Sequence, residues 1–240
     1  MTKVSSIAKL YDLDLWIWFP ALEADYRNKS TLRKALAEWQ LVFSSLPRID
    51  AIFVPGGDPG NTPARILLDV AMKQKQSLRK FHPDGQIWVS PQGFHGNDEN
   101  DFFLALEQGL DWLDGVVFGP WVHSTAKAFR IRVPECYPVR LYPDITHCWD
   151  CQYPVPNWDP ALAACQGREP INPRPIDQAR IIELSAPYSV GALTYSEGNN
   201  DDVNKMLWSA LLWEPNHSLG DLLRQYGRVF VHPDLADGIA

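Results

Sequence analysis

The chain has 240 residues and is 45% hydrophobic, enough for a sizeable core and too apolar for a disordered segment. Its formal net charge of −7 and scattered basic residues argue against a nucleic-acid or anionic-membrane partner, and no apolar run approaches the roughly 20 residues that span a bilayer. The N-terminus Met-Thr-Lys-Val-Ser-Ser lacks the apolar core of a signal peptide, and Cys136, Cys148, Cys151 and Cys165 do not make a disulfide scaffold, so a soluble chain in a reducing compartment is expected.

In chain order, residues 3–10 read as the end of a helix, and Leu13–Phe19 as an apolar run closed by Pro20, the mark of a buried parallel strand. Residues 30–46 carry Leu32, Leu36, Trp39 and Phe43 at helical spacing, with a cap expected near Ser30 or Thr31. The next strand, Ala51–Val54, stops at Pro55-Gly56-Gly57-Asp58-Pro59-Gly60-Asn61, and Thr62 followed by Pro63 reads as cap and first-turn proline of a helix over 63–80. The turn lacks the Lys-Ser/Thr of a phosphate loop and the spacing of the dinucleotide fingerprint.

Gln86–Ser90 is a third strand ending in Pro91-Gln92-Gly93-Phe94-His95-Gly96, followed by a helix from about Asp98 to Trp112. Gly115–Phe118 ends in Gly119-Pro120-Trp121, and Val139–Tyr142 ends in Pro143-Asp144-Ile145-Thr146-His147. The stretch 148–175 is proline-rich, carries Trp149 and Trp158, and reads as an irregular lid. A helix at 176–186 leads to a sixth strand, Val190–Tyr195, ending in Ser196-Glu197-Gly198, and helices follow at Asp201–Trp213 and about 218–226.

Strands separated by helices, each ending in a polar or glycine-bearing loop, predict an α/β fold with a parallel sheet, specifically a (β/α) TIM-type barrel whose strand C-termini build the site. About six of the eight βα units are visible, so the reading is one barrel domain over 1–240, truncated at its N-terminus, with a missing barrel segment or a second chain covering the open edges. A doubly wound open sheet is the alternative.

Strand ends deliver Trp18, Asp58, Gln92, Trp121, Asp144, His147 and Glu197. Paired carboxylates serve glycoside hydrolysis, one protonating the leaving oxygen while the other attacks the anomeric carbon or activates water, and indoles offer flat faces to sugar C–H groups. The ten Trp and twenty Pro of the chain suit such rigid aromatic loops. Glu197 follows an apolar strand and is either a buried catalytic group or an exposed first-turn glutamate. Asp201, Asp202 and Asn204 open the next helix and read first as caps, with Asn204 also placed to bind a sugar hydroxyl. Cys148-Trp149-Asp150-Cys151 is a single C-x-x-C, short of the paired pattern of a structural zinc site; a thiol-held metal is a third reading, and no metal or cofactor is expected.

Val54-Pro55-Gly56-Gly57-Asp58, Tyr142-Pro143-Asp144-Ile145-Thr146-His147 and Tyr195-Ser196-Glu197-Gly198-Asn199-Asn200-Asp201-Asp202-Val203-Asn204-Lys205 together resemble the barrel domain of the glycoside hydrolase group containing β-N-acetylhexosaminidases and microbial α-glucuronidases, in an uncharacterised bacterial branch. In hexosaminidases a Gly-Gly-Asp-Glu ends a central strand, with the Asp orienting the acetamido group and the Glu as general acid. Asp58 fits the Asp position and Pro59 stands at the Glu position. The resemblance therefore implies Asp58 itself as the acid, with Glu197 or Asp144 as base or nucleophile; the strand-end positions of Trp18, Gln92, Trp121 and His147, with Asn204 at the next helix start, make these the candidates around a carbohydrate substrate. A non-catalytic carbohydrate-binding protein on the same scaffold is the alternative, motivated by Pro59.

Overall fold

The computed structural model describes residues 1–145, 152, 153, 159, 161, 173–196 and 201–240. The chain divides into two compact units, Met1–Val139 and Arg140–Ala240. The segment at about 148–175, read as a lid, lies almost wholly outside the described residues, as do Cys148, Cys151 and Cys165.

In the first unit, α1 (Thr2–Leu10), β1 (Trp16–Trp18), α2 (Lys29–Ser45), β2 (Ala51–Val54), α3 (Ala64–Leu78), β3 (Gln86–Val89), α4 (Asn97–Gln108), β4 (Gly115–Phe118) and α5 (Ala126–Arg132) alternate, and β5 (Val139–Leu141) begins at its end. The sheet order is β1-β2-β3-β4-β5, and β1 to β4 pair in parallel. Strands in sequence order, each separated by a helix, are the repeating βα unit that sequence spacing predicts. β2 and β4 have the bounds read from the sequence, while β1, β3 and β5 are shorter than their apolar runs.

Alternation along each strand gives the sheet two faces of different chemistry. Ile17, Ile52 and Ile87 share one register row and are all buried. Trp18, Phe53, Trp88 and Gly115 share another. Gly115 is the small member because a Cβ there would fall 2.2 Å from the Trp88 ring. Along β2 and β4 every residue is buried, the usual condition of a parallel sheet.

The helix starts depart from their sequence signals. The cap of α2 is Asn28, which accepts from Ser30 N and Thr31 N, rather than Ser30 or Thr31 themselves. Thr62 does not cap α3: its hydroxyl faces Ala21 O at 3.4 Å, and Asp98 of α4 accepts from Ala64 N at 3.0 Å instead. A carboxylate from the neighbouring helix has taken the capping role, a tertiary event that local sequence does not encode.

In the second unit, a segment at 191–195 pairs in parallel with β5 and its extension: Leu141 N donates to Gly191 O, Leu193 N to Leu141 O and Tyr195 N to Pro143 O, with bridges Leu141–Ala192 and Asp144–Tyr195. This is the predicted sixth strand, held as bridges rather than a continuous ladder. Around it are α6 (Pro175–Ser185), α7 (Asp202–Trp213) and α8 (Leu219–Tyr226). Trp208, fully buried on α7, donates its indole N–H to Gln178 of α6 at 2.7 Å.

No described helix is long and apolar enough to cross a membrane.

Candidate active site

Chemistry-bearing side chains of the first unit meet where β2 and β3 end. Gly57 N donates to Gln92 O at 2.7 Å, tying the two strand-end turns together. Gly56 and Gly93 allow this approach. A Cβ on Gly56 would sit 2.6 Å from Gln92 O, and one on Gly93, whose φ is +71°, would sit 2.7 Å from Asp58 Cβ. These glycines are required for close backbone packing, a role different from a phosphate cradle.

That packing fixes a carboxylate. Gln92, only 5% exposed, donates from Nε2 to Asp58 Oδ2 at 2.9 Å. Asp58 is half-buried, and its Oδ1 carries no hydrogen bond among the described residues. One oxygen is clamped and the other is open, which sets the plane of the carboxyl while leaving a lone pair for a proton or a ligand donor. Gln92 Oε1 is buried without a donor among the described residues.

The aromatic candidates flank other strand ends. Trp18 closes β1 at 47% exposure, and Trp121, at positive φ of 58°, follows β4 half-buried. His95, after β3, and His123, after β4, are exposed with ring centres 5.5 Å apart. His123 carries no signal of its own in the sequence beyond its place two residues after Trp121 in a strand-end loop, the counterpart of His95.

In the second unit, Asp144 ends the β5 segment and is 2% exposed. Tyr142 and Tyr195 pack there with ring centres 5.9 Å apart. Asn204 is fully buried on α7, and its Oδ1 accepts from Arg174 N at 3.1 Å. The capping expectation for this helix is corrected: Asp201 is the N-cap by position but makes no side-chain cap bond, and its Oδ2 instead accepts from Ser196 Oγ at 2.7 Å. Asp202 Oδ2 accepts from the Tyr226 hydroxyl at 2.6 Å; that bond holds the Asp202 carboxyl below its ordinary range and pushes the Tyr226 phenol up. Glu197 and His147 lie outside the described residues.

Asp58 and Gln92 are therefore brought together in the first unit, and Asp144 and Asn204 are placed in the second. Among the described residues, no cluster of three or more His, Cys, Asp or Glu could hold a metal ion. The one described cysteine, Cys136, is an exposed free thiol.

No family model matches the chain, and no curated protein matches it. Among solved structures, the Ignisphaera aggregans GH53 catalytic domain is similar over 81% of this chain at 13% identity, with a TM-score of 0.51. The chain spans 65% of that domain's length. DHDPS from Cyanidioschyzon merolae with lysine bound aligns over 94% of this chain and 79% of its own at 15% identity, with a TM-score of 0.42. The alternating helices, the parallel sheet and the first of these likenesses define an α/β fold of the TIM type.

Proposed function

We propose that this chain is a glycoside hydrolase in which Asp58 transfers the proton at the glycosidic oxygen and Glu197 or Asp144 supplies the second carboxylate. The observation that carries the reading is the Asp58–Gln92 pair: a strand-end carboxylate held through one oxygen by a buried amide at 2.9 Å, with its other oxygen open. General acid catalysis needs a proton carrier of fixed orientation, and a clamped carboxyl supplies one. The likeness to a GH53 catalytic domain supports a scaffold on which such chemistry is housed.

In this mechanism the open Oδ1 of Asp58 protonates the leaving oxygen as the anomeric bond breaks, and the second carboxylate either attacks the anomeric carbon or deprotonates the attacking water. A separation of about 5–5.5 Å between the carboxyls gives retention and about 6.5–9.5 Å gives inversion. Trp18 stacks on a sugar face.

Hydrolysis of a panel of aryl glycosides tests the reading. Asp58→Asn and Glu197→Gln are each expected to lower kcat by about 10²–10⁴-fold. Unchanged turnover in both variants rejects the assignment. Pro59, at the position of the hexosaminidase acid, favours a second reading in which the same face binds glycan without cleaving it. Retained glycan binding with no hydrolysis of any glycoside by the wild type selects that reading.

A further inference from the structure

Two strand-end loops of the first unit bring a pair of imidazoles together. His95 follows β3 and His123 follows β4; both are exposed, and their ring centres lie 5.5 Å apart at an interplanar angle of 32°. Neither ring has a hydrogen bond or ion pair among the described residues. His82 and His232, by contrast, are committed: the ring of His82 is bonded to Phe43 O at 2.9 Å, and Nδ1 of His232 accepts from Asp234 N at 3.2 Å. Across 90–96 and 119–125 the two histidines are the only ionisable side chains, so no Lys, Arg, Asp or Glu of either loop competes for their nitrogens.

The backbone beneath both rings is anchored. Phe94, 4% exposed, packs on Phe102 of α4 with ring centres 6.0 Å apart, and its N donates to Pro91 O at 3.0 Å, while Asp98 N donates to His95 O at 3.2 Å. On the other loop Ser124 N donates to Val122 O at 2.8 Å, and the Thr125 hydroxyl caps α5 by accepting from Ala128 N at 3.2 Å. The two main-chain positions are therefore held at a set spacing while the exposed side chains rotate quickly between rotamers. That spacing suits a shared ion. With metal–nitrogen bonds of about 2.0–2.1 Å the ring centre lies about 3.2 Å from the metal, and a tetrahedral angle then puts two ring centres about 5.2 Å apart, close to the observed 5.5 Å.

We propose that His95 and His123 form a two-imidazole site for a divalent transition-metal ion of the class that imidazole selects, zinc, copper or nickel. Two protein ligands are fewer than the three or four of catalytic and structural zinc sites, so the ion exchanges readily and its remaining positions are filled by water or by an oxygen donor of a ligand. The proposal is independent of the glycosidase reading, because no step of that reaction uses the ion.

The test is titration of the protein with zinc chloride at about pH 7.5, above the ordinary histidine range so that imidazole is largely neutral. Proton–nitrogen NMR follows the histidine rings, with signals assigned through His95→Ala and His123→Ala, both exposed changes. The His95 and His123 signals are expected to shift together, with one midpoint below about 1 mM, and each alanine variant to raise the midpoint of the remaining ring by about tenfold or more, since the second ligand no longer binds intramolecularly. Magnesium chloride, whose ion takes oxygen ligands, is expected to leave both signals in place. Zinc-induced shifts confined to other histidines, as binding at Cys148 and Cys151 would produce, overturn the proposal. So do a shift of one ring alone, an unchanged midpoint in either variant, or an equal response to magnesium.

Discussion

Replacing Gly93 by alanine isolates the contact that positions Asp58. The position has φ +71°, and the added Cβ would lie 2.7 Å from Asp58 Cβ and 2.9 Å from Asp58 N. Carbon atoms rest at about 3.5–4.0 Å, so the two turns must part by roughly 1 Å. The substitution carries a left-handed backbone cost of about 1–2 kcal/mol and adds an overpacking cost of about 1–3 kcal/mol. Urea unfolding should therefore show Gly93→Ala less stable than the wild type by about 2–5 kcal/mol at equal m-value. If Asp58 is the catalytic acid, a displacement of about 1 Å also lowers turnover by about 10²-fold. A loss no larger than the backbone cost alone, about 1–2 kcal/mol, would refute the argument that the β2 and β3 turns are locked face to face.

Three other outcomes follow from particular contacts. Asp98→Ala should cost about 1 kcal/mol in urea unfolding and Asp98→Asn much less, since the amide oxygen can still accept from Ala64 N. Lys75, 2% exposed, donates to Asp114 and to Gly85 O, and burial holds its ammonium pKa below the usual lysine range; Lys75→Met should cost about 3 kcal/mol, and Lys75→Met with Asp114→Asn less than the sum of the singles, in a double-mutant cycle by urea unfolding. The Asp202–Tyr226 bond depresses the carboxyl and raises the phenol, so its stabilisation is present above the ordinary 3.8 of Asp202 and lost as pH falls, and present below the ordinary 10.0 of Tyr226 and lost as pH rises past it; the thermal-midpoint difference between wild type and Tyr226→Phe should peak between those limits and vanish at both ends.

The alternation of helix and strand was legible because it is written in local periodicity. Ile52, Val54, Ile87 and Val89 are buried on one face, and the apolar runs that announce them need no partner to be recognised. Chain direction followed from the crossover helices, since right-handed βα connections allow little else. Strand length was legible at β2 and β4 and not at β1: Leu13–Phe19 reads as seven residues of strand, yet the strand is Trp16–Trp18, in register with Ala51, Ile52 and Phe53, with backbone bonds from Ala51 N to Leu15 O and Phe19 N to Phe53 O at its ends.

Side-chain contacts were legible only as far as the residue type at a strand end announces them. Asp58 and Gln92 stood out separately, 34 residues apart, and their bond was not readable, because it arises from backbone packing of two glycine turns. The same reasoning explains the capping errors. Thr62, Asp201 and Asp202 have the residue types of caps, and each bonds elsewhere: Thr62 to Ala21 and Asp202 to Tyr226, distant in sequence, and Asp201 to Ser196 just before the helix. Cap propensity is worth about 1 kcal/mol, the same scale as one hydrogen bond elsewhere, so a tertiary partner of suitable geometry wins without difficulty. At α3 the exchange is complete: Thr62 turns to Ala21, and Asp98 from the next helix fills the vacated position at Ala64 N. The acceptor that closes one βα unit thus comes from the following unit. Asp98 lies three residues beyond His95 in the same β3 loop–helix junction that holds Gln92 against Asp58, so loosening that junction is expected to disturb the helix start and the carboxylate together.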